Sequence, residues 1–199
     1  VFGLAVVSGL YLIVRGGWPI LVVGLASIGA AIWYTAGRYS LAALGLADLF
    51  VFVFFGPVAV GGTYYVQALS LPPDVIVAGA GPGLLSIAIL LVNNVRDVAE
   101  DRVARKRTLV VRFGRRVGVV AYGLCVVGAL MLPAVLALGP SGLTPRPWAA
   151  LPLALLPLAI QPIRTMASTT DPERLNPLLG ATGRILLLWA VLFSIGWNL

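Results

Sequence analysis

The chain contains seven long apolar runs, which are separated by short stretches rich in charge, proline and glycine. A helix needs roughly 17 to 25 apolar residues to cross the hydrocarbon core of a bilayer. The runs do not alternate as barrel strands do, so each is predicted to be a membrane helix with its backbone hydrogen-bonded internally. They lie near residues 1–14, 17–36, 46–69, 74–92, 117–138, 147–166 and 180–199.

The composition supports a membrane protein and excludes a soluble globular domain. Hydrophobic residues make up 60% of the 199 positions and charged residues only 11%, whereas roughly a quarter of a soluble domain is charged. We therefore predict an all-α, polytopic transmembrane helix bundle that forms one domain over residues 1–199. The first run begins at Val1 without a charged flank and is short for a spanning helix, so we expect this domain to be incomplete at its N-terminus.

Two residue types limit the available chemistry. The chain has no histidine, which excludes histidine-based acid–base catalysis and histidine metal ligands. Its single cysteine, Cys125, lies inside an apolar run, so neither a disulfide framework nor a cysteine metal cluster is expected. Catalysis or metal binding therefore has to use carboxylates, amides and basic side chains.

Basic residues concentrate in the connection near residues 96–116, which carries eight of the fourteen in the chain. By the positive-inside rule this connection faces the cytoplasm. We therefore expect a multi-pass protein of the cytoplasmic membrane with its active site on the cytoplasmic side. An inner face near anionic lipid explains the net charge of +7, so membrane lipid is the expected partner and nucleic acid is not.

The stretch NNVRDVAEDRVARKRT, residues 93–108, also holds acidic side chains that orientation does not explain. Asn93, Asp97 and Asp101 step by four residues, so on a helix continuing from the apolar run they share one face. Mg²⁺ takes oxygen ligands, usually one or two carboxylates together with water and phosphate oxygens. Basic side chains that could neutralise phosphate follow within about two turns. The pattern predicts a site for Mg²⁺ and a diphosphate, with both carboxylates at the wet edge of the bundle.

A second interpretation is an exposed salt-bridge network. In it the two aspartates pair with nearby arginines for about 0 to 1 kcal/mol per pair, and the candidate partners are Arg96, Arg102 and Arg105. Asn93 and Asn94 favour the functional interpretation, because two adjacent amides directly after LLSIAILLV are costly at the membrane interface.

The segment NNVRDVAEDRVARKRTLVVRFG resembles the second aspartate-rich motif of the UbiA-type intramembrane prenyltransferases. It is most similar to the branch that prenylates 1,4-dihydroxy-2-naphthoate for menaquinone synthesis. Elsewhere, WYTAGRYSLAALGLADLFVFVFFGPVAVGGTYYVQ resembles the fourth and fifth helices of these enzymes, and RLNPLLGATGRILLLW resembles the last. The seven runs then correspond to helices three to nine of a nine-helix fold.

The resemblance implies that two aspartate-rich motifs, on the second and sixth helices, bind Mg²⁺ with a prenyl diphosphate between them. It assigns Asp97 and Asp101 to the metal and, together with Asn94, to catalysis. The substrate-binding residues that we expect in the same stretch are Asn93, Arg96, Lys106 and Arg107. Loss of diphosphate leaves an allylic cation, which the ring of the aromatic acceptor attacks; with a naphthoate, the ring carboxylate is lost.

Two features depart from the family pattern. The first aspartate-rich motif is absent, because the matching segments begin with the third helix. Arg105 stands where a glycine is common before KRTL.

Three further residues are candidates for substrate binding. Tyr34 and Arg38, in YTAGR, have the spacing of the family's Tyr-x-x-x-Lys element, and the alternative is an interfacial tyrosine beside a snorkelling arginine. Asp48, before LFVFVFFG, is expected to orient the aromatic acceptor, or alternatively to cap a helix. Other residues that match the family are assigned structural roles, namely Asn176, Thr182 and Arg184.

We therefore predict Mg²⁺-dependent transfer of a polyprenyl group from its diphosphate to an aromatic acceptor, dihydroxynaphthoate. A related alternative changes the acceptor to hydroxybenzoate, homogentisate, haem or chlorophyllide. The others are a transporter or channel and a non-catalytic fragment. Transport is disfavoured because the acidic residues lie at predicted helix ends or in loops, not near the bilayer midplane.

Overall fold

A computed structural model of the chain describes residues 2–35, 41–140 and 142–199, and over these residues the protein is an all-helical bundle without strands. The described part of the chain contains eleven α-helices, with a π-helical segment after α4 and a 3₁₀-helix before α10. Their bounds are α1 Phe2–Gly16, α2 Trp18–Thr35, α3 Leu41–Leu44, α4 Ala47–Val53, the π-helix Phe54–Val58, α5 Ala59–Ala68, α6 Pro73–Arg96, α7 Val98–Val103, α8 Leu109–Phe113, α9 Arg115–Leu138, the 3₁₀-helix Pro147–Leu155, α10 Leu156–Ser168 and α11 Pro172–Asn198.

The helices confirm the positions of the predicted apolar runs. Among the described residues, five helical spans are long and apolar enough to cross a membrane, and α1 and α2 are shorter apolar helices at the first two runs. The last helix begins at Pro172, with the Asp171 carboxylate accepting from Glu173 N in its first turn, as an aspartate followed by proline favours. The chain is therefore a multi-pass membrane protein. The five long spans are Ala47–Ala68, Pro73–Arg96, Arg115–Leu138, Pro147–Ser168 and Pro172–Asn198.

Helix α6 lies at the centre of the bundle, where it packs against α9, α11 and the α4–α5 segment. Two buried polar contacts help to hold these helices together. The indole Nε1 of Trp189 donates to the Ala129 carbonyl at 2.9 Å. The hydroxyls of Tyr122 and Thr182 lie 2.9 Å apart in the core, so the structural role predicted for Thr182 is confirmed.

The α4–α5 segment bends at its proline. Pro57 lies inside the π-helical segment, which accommodates the backbone carbonyl that proline cannot bond. Gly56 makes the bend fit against α6, since a Cβ added there would lie 2.7 Å from the Gly79 carbonyl oxygen. The bend thus brings α4 against α6, where a Cβ added at Gly83 would lie 2.8 Å from the Phe52 carbonyl oxygen.

Candidate active site

Asp97 lies at a break between α6 and α7, so the prediction of an uninterrupted helix through residues 93–101 is wrong. Its backbone angles, φ −96° and ψ 18°, leave the helical range. Hydrogen bonds nevertheless cross the break, from Asp97 N to Asn93 O at 2.8 Å and from Asp101 N to Asp97 O at 2.9 Å. The four-residue spacing that the sequence indicates therefore survives as a backbone relationship, while the chain direction changes at the acidic residue.

Helix α7 ends in a Schellman turn that reverses the chain. Arg105 N donates to Arg102 O at 3.1 Å, and Lys106 N donates to Asp101 O at 2.9 Å. The turn requires a left-handed residue at its corner, and Arg105 supplies it with φ +56°. This explains why a glycine is common at that position in the family that the motif resembles.

The reversal places Lys106 over Asp101. The Lys106 Nζ donates to Asp101 Oδ1 at 2.8 Å. The Asp101 side chain is only 7% exposed and that of Lys106 is 46% exposed, so the expectation that both carboxylates lie at the wet edge is wrong for Asp101. The hydrogen bond to Asp101 raises the pKa of the Lys106 amine, and the negative charge of Asp97 acts in the same direction.

Asp97 forms the second ion pair of the site, with its neighbour Arg96. Arg96 Nε and Nη2 donate to the two carboxylate oxygens of Asp97 at 2.6 and 2.7 Å. The third guanidinium nitrogen, Nη1, donates to Asn176 Oδ1 at 2.9 Å. The hydrogen bonds from Arg96 lower the pKa of the Asp97 carboxyl, and the positive charge of Lys106 lowers it further.

The salt-bridge interpretation is thus only partly right. Both aspartates have basic partners, but these are Arg96 and Lys106, and within the described part of the chain Arg102 forms no ion pair with either. The two acid–base pairs are joined by the backbone hydrogen bond from Asp101 N to Asp97 O at 2.9 Å, so they form one cluster. Two carboxylates and two cations in one cluster are more than a scattered surface network provides.

The α3–α4 turn packs directly against the basic loop. Gly45 has φ +76°, and a Cβ on it would collide with the backbone carbonyl of Arg107. The Arg107 side chain itself is exposed, whereas Asn94 is buried and Asn93 is half-buried. Nothing in the sequence around Gly45 reveals this long-range contact, and it went unpredicted.

Tyr34 and Asp48 lie beside this cluster. The charges of Asp48, Asp101 and Lys106 lie near enough to Tyr34 to act on its hydroxyl, so these four predicted residues lie at the same end of the bundle. Asp48 Oδ1 is buried and has no hydrogen-bond partner among the described residues. The capping alternative for Asp48 is only partly right: the N-cap position of α4 is held by Leu46 without a side-chain hydrogen bond, but Asp48 does lie in the first turn of that helix. Arg38 lies outside the described residues.

Next to Tyr34 is an apolar cavity of about 630 Å³ between α2 and α4. Its aromatic walls include two rings, Phe50 and Phe54, stacked with centroids 5.8 Å apart. Tyr34 belongs to the cavity lining and also interacts with the charged cluster. A molecule with a charged head and an apolar body would therefore find both kinds of surface at this end of the bundle.

The donor chemistry of the cluster fits Mg²⁺ when a diphosphate supplies further oxygens. No group of three or more acidic, histidine or cysteine side chains arranged for a metal occurs in the described ranges. Asp97 and Asp101 provide two carboxylates, which is the number that Mg²⁺ commonly takes from a protein when substrate phosphates and water complete its octahedron. The neighbouring amides, Asn93 and Asn94, add neutral oxygen donors.

Comparisons with known proteins agree with these features. Residues 1–182 match the model of the UbiA prenyltransferase family. The chain is 37% identical over 174 residues to the 1,4-dihydroxy-2-naphthoate octaprenyltransferase of Haemophilus influenzae, which covers 87% of this chain and 55% of that protein. It is 36% identical over 177 residues to the protein of the same name from Escherichia coli, which covers 88% of this chain and 56% of that protein. It is also 36% identical over 190 residues to the protein of that name from Mycobacterium tuberculosis, which covers 94% of this chain and 62% of that protein. The chain thus spans 55% to 62% of the length of these relatives.

Proposed function

Because the chain belongs to the UbiA prenyltransferase family, we propose that it carries part of the active site of an Mg²⁺-dependent prenyltransferase. The donor is a polyprenyl diphosphate and the acceptor is 1,4-dihydroxy-2-naphthoate, in the pathway to menaquinone. Three relatives named as dihydroxynaphthoate octaprenyltransferases, at 36% to 37% identity, support this acceptor.

The single observation that carries the proposal is the paired cluster formed by Asp97 with Arg96 and Asp101 with Lys106. A prenyl diphosphate has a multiply charged head, so its binding needs both a divalent cation and fixed positive charges. The carboxylates suit the cation, and the basic side chains suit the remaining phosphate oxygens. The adjacent apolar cavity, which Tyr34 joins to this cluster, suits the hydrocarbon part of the same substrate.

Catalysis would consist mainly of stabilising the leaving group. The bond between the allylic carbon and its oxygen breaks, and the electron pair leaves with diphosphate. Mg²⁺ held by Asp97 and Asp101, with Asn94 nearby, would supply Lewis-acid stabilisation of that charge. Lys106 and Arg107 would add fixed positive charge at the phosphate oxygens, where preorganised charge is most effective. We assign Asn93 and Arg96 to the same head-group region.

The acceptor would lie on the side of Asp48. Its unpaired Oδ1 can accept a hydrogen bond from a ring hydroxyl, which orients the ring and increases its electron density. The ring carbon that carries the carboxylate then donates an electron pair to the allylic cation; the bond from this carbon to the carboxylate breaks, carbon dioxide leaves, and the electron pair of that bond restores the aromatic ring. Tyr34, between the charged cluster and the apolar cavity, would separate the allylic cation from bulk water. Arg38 completes the set of predicted substrate-binding residues.

We place this site at the cytoplasmic face of the inner membrane. The argument is the excess of arginine and lysine in the connection that contains it. Glu100 is exposed, so a cysteine substituted there in a Cys125→Ala background should react with a membrane-impermeant maleimide only after the inner membrane is opened. Labelling of intact spheroplasts from outside would reverse the proposed orientation.

A reconstituted assay tests the proposed reaction. The full-length protein in nanodiscs is given Mg²⁺, labelled octaprenyl diphosphate, and either dihydroxynaphthoate or 4-hydroxybenzoate. We expect a prenylated, decarboxylated product with the naphthoate, and none after chelation of divalent ions. Product from the benzoate alone would retain the chemistry and replace the acceptor, and no product from any acceptor would contradict the proposal.

A further inference from the structure

Arg96 connects two helices that are far apart in the sequence. It is the last residue of α6, and its guanidinium holds Asp97 on one edge and Asn176, near the start of α11, on the other. Asn176 is 80 positions away from Arg96, and the sequence indicates only a structural role for it. The contact places a residue of the last helix next to the proposed head-group site.

The geometry of the guanidinium makes this contact directional. A guanidinium is planar, with its donors in a rigid fork, so fixing one nitrogen restricts the other two. Nη1 is fixed on Asn176 Oδ1 at 2.9 Å, while Nε and Nη2 hold both oxygens of Asp97. The orientation of the Asp97 carboxylate therefore depends on a side chain that it does not touch.

Asp97 needs such a support more than its neighbour does. It lies at the helix break and its side chain is 38% exposed, so packing alone restricts its rotation little. Asp101 is 7% exposed and is held in place by burial as well as by Lys106. Loss of the support is thus expected to affect Asp97 selectively.

The support also leaves Asp97 able to bind a cation. An ionised carboxylate offers about four lone-pair positions, and the two hydrogen bonds from Arg96 occupy two of them. Carboxylates that bind metal ions are commonly oriented by such outer hydrogen bonds, and removing the outer partner weakens metal binding about 10- to 100-fold.

We propose that Asn176 is a positioning residue that acts through Arg96 to aim the Asp97 carboxylate at the divalent cation. The inference rests on the proposed function, since it assumes that Asp97 binds the metal. It adds a residue of α11 to the metal site and so couples the start of the last helix to the proposed catalytic end of α6.

The test uses Mn²⁺ alone as the probe, with binding to the full-length protein followed by the loss of the free-ion EPR signal. Asn176→Leu removes the acceptor for Nη1 at an exposed position, and we expect it to weaken Mn²⁺ binding about 10- to 100-fold. Asn176→Asp keeps an oxygen acceptor and should bind Mn²⁺ at least as tightly as the wild type. Arg174→Gln, which changes an exposed residue of the same helix turn, is the control and should leave binding unchanged.

A double variant tests whether Asn176 acts through Arg96. If it does, Asn176→Leu should have no further effect on Mn²⁺ binding in an Arg96→Met protein, because coupled residues are not additive. The inference about Asn176 would be overturned if Asn176→Leu bound Mn²⁺ as tightly as the wild type. It would also be overturned if the two losses added in the double variant. Neither result would affect the proposed function. A wild-type protein that binds no Mn²⁺ would also overturn this inference, whereas the proposed function is decided separately by the prenyl-transfer assay, in which the diphosphate supplies further oxygen ligands.

Discussion

The Lys106 amine and the Asp101 carboxylate, 2.8 Å apart, are brought together by the turn that ends α7. The carboxylate is almost fully buried, while the lysine keeps nearly half of its side-chain surface exposed. The amine can therefore reach a substrate at the surface without leaving the neighbourhood of Asp101. This arrangement combines a fixed acid with an accessible cation, as the binding of a metal–diphosphate complex needs.

Replacing Lys106 with methionine should impair the use of the prenyl diphosphate. The variant keeps the length of the side chain but removes the charge proposed to stabilise the leaving group, so kcat/KM for the diphosphate should fall about 100-fold or more. Arg102→Met, which removes an exposed cation one turn away, is the matched control. Equal losses in the two variants would point to general surface charge instead of a specific role for Lys106.

Arg105→Gly should stabilise the protein. Arg105 is the left-handed corner of the Schellman turn, at φ +56°, and this conformation costs a residue with a Cβ about 1–2 kcal/mol. Glycine avoids most of that cost, so the melting temperature in detergent should rise. Arg102→Gly, inside α7, should instead lower stability by about 1 kcal/mol, and a lower melting temperature for Arg105→Gly would contradict the strained-corner account.

Gly45→Ala should separate the α3–α4 turn from the basic loop. Alanine at this position would have to adopt a positive φ, which costs about 1–2 kcal/mol. Its Cβ would also collide with the backbone carbonyl of Arg107. We expect reduced thermal stability and a loss of prenyl transfer. Gly62→Ala is the control, because Gly62 lies in α5 with open space around it and alanine is the better helix former. If Gly45→Ala matched Gly62→Ala in both measurements, the close approach at Arg107 would be unimportant.

Asp48→Asn should affect the acceptor and not the prenyl donor. The amide keeps the size of the side chain but loses the charge, and a hydrogen bond to a charged group contributes about 1.5–3 kcal/mol. The KM for dihydroxynaphthoate should therefore rise roughly 10- to 100-fold, while the KM for the diphosphate stays near its wild-type value. A rise confined to the diphosphate would move Asp48 to the head-group site.

Local patterns in the sequence predict the helices and the acidic motif well. The length of each membrane helix can be read from the length of its apolar run. Asp171 followed by Pro172 marks the start of α11, because capping depends on adjacent residues. The spacing of Asn93, Asp97 and Asp101 likewise survives in backbone hydrogen bonds. These features depend on residues within one or two helical turns of each other.

Features that depend on distant residues were missed. The contact between Arg96 and Asn176 joins positions 80 residues apart, and the contact of Gly45 with Arg107 joins different helices. Neither has a local signal in a single sequence. The burial of Asp101 was also missed, because a charged residue after an apolar run predicts exposure unless the turn that returns Lys106 to it is known.

The most direct test of the account is the rate of prenyl transfer by the full-length protein carrying Asp97→Asn or Asp101→Asn. Each amide keeps the shape of the side chain and removes one proposed Mg²⁺ ligand charge. Asp171→Asn, at the exposed start of α11, is the matched control. We predict that the first two variants lose about 100- to 1,000-fold in rate while the control keeps wild-type turnover. Wild-type turnover in Asp97→Asn and Asp101→Asn would contradict the account.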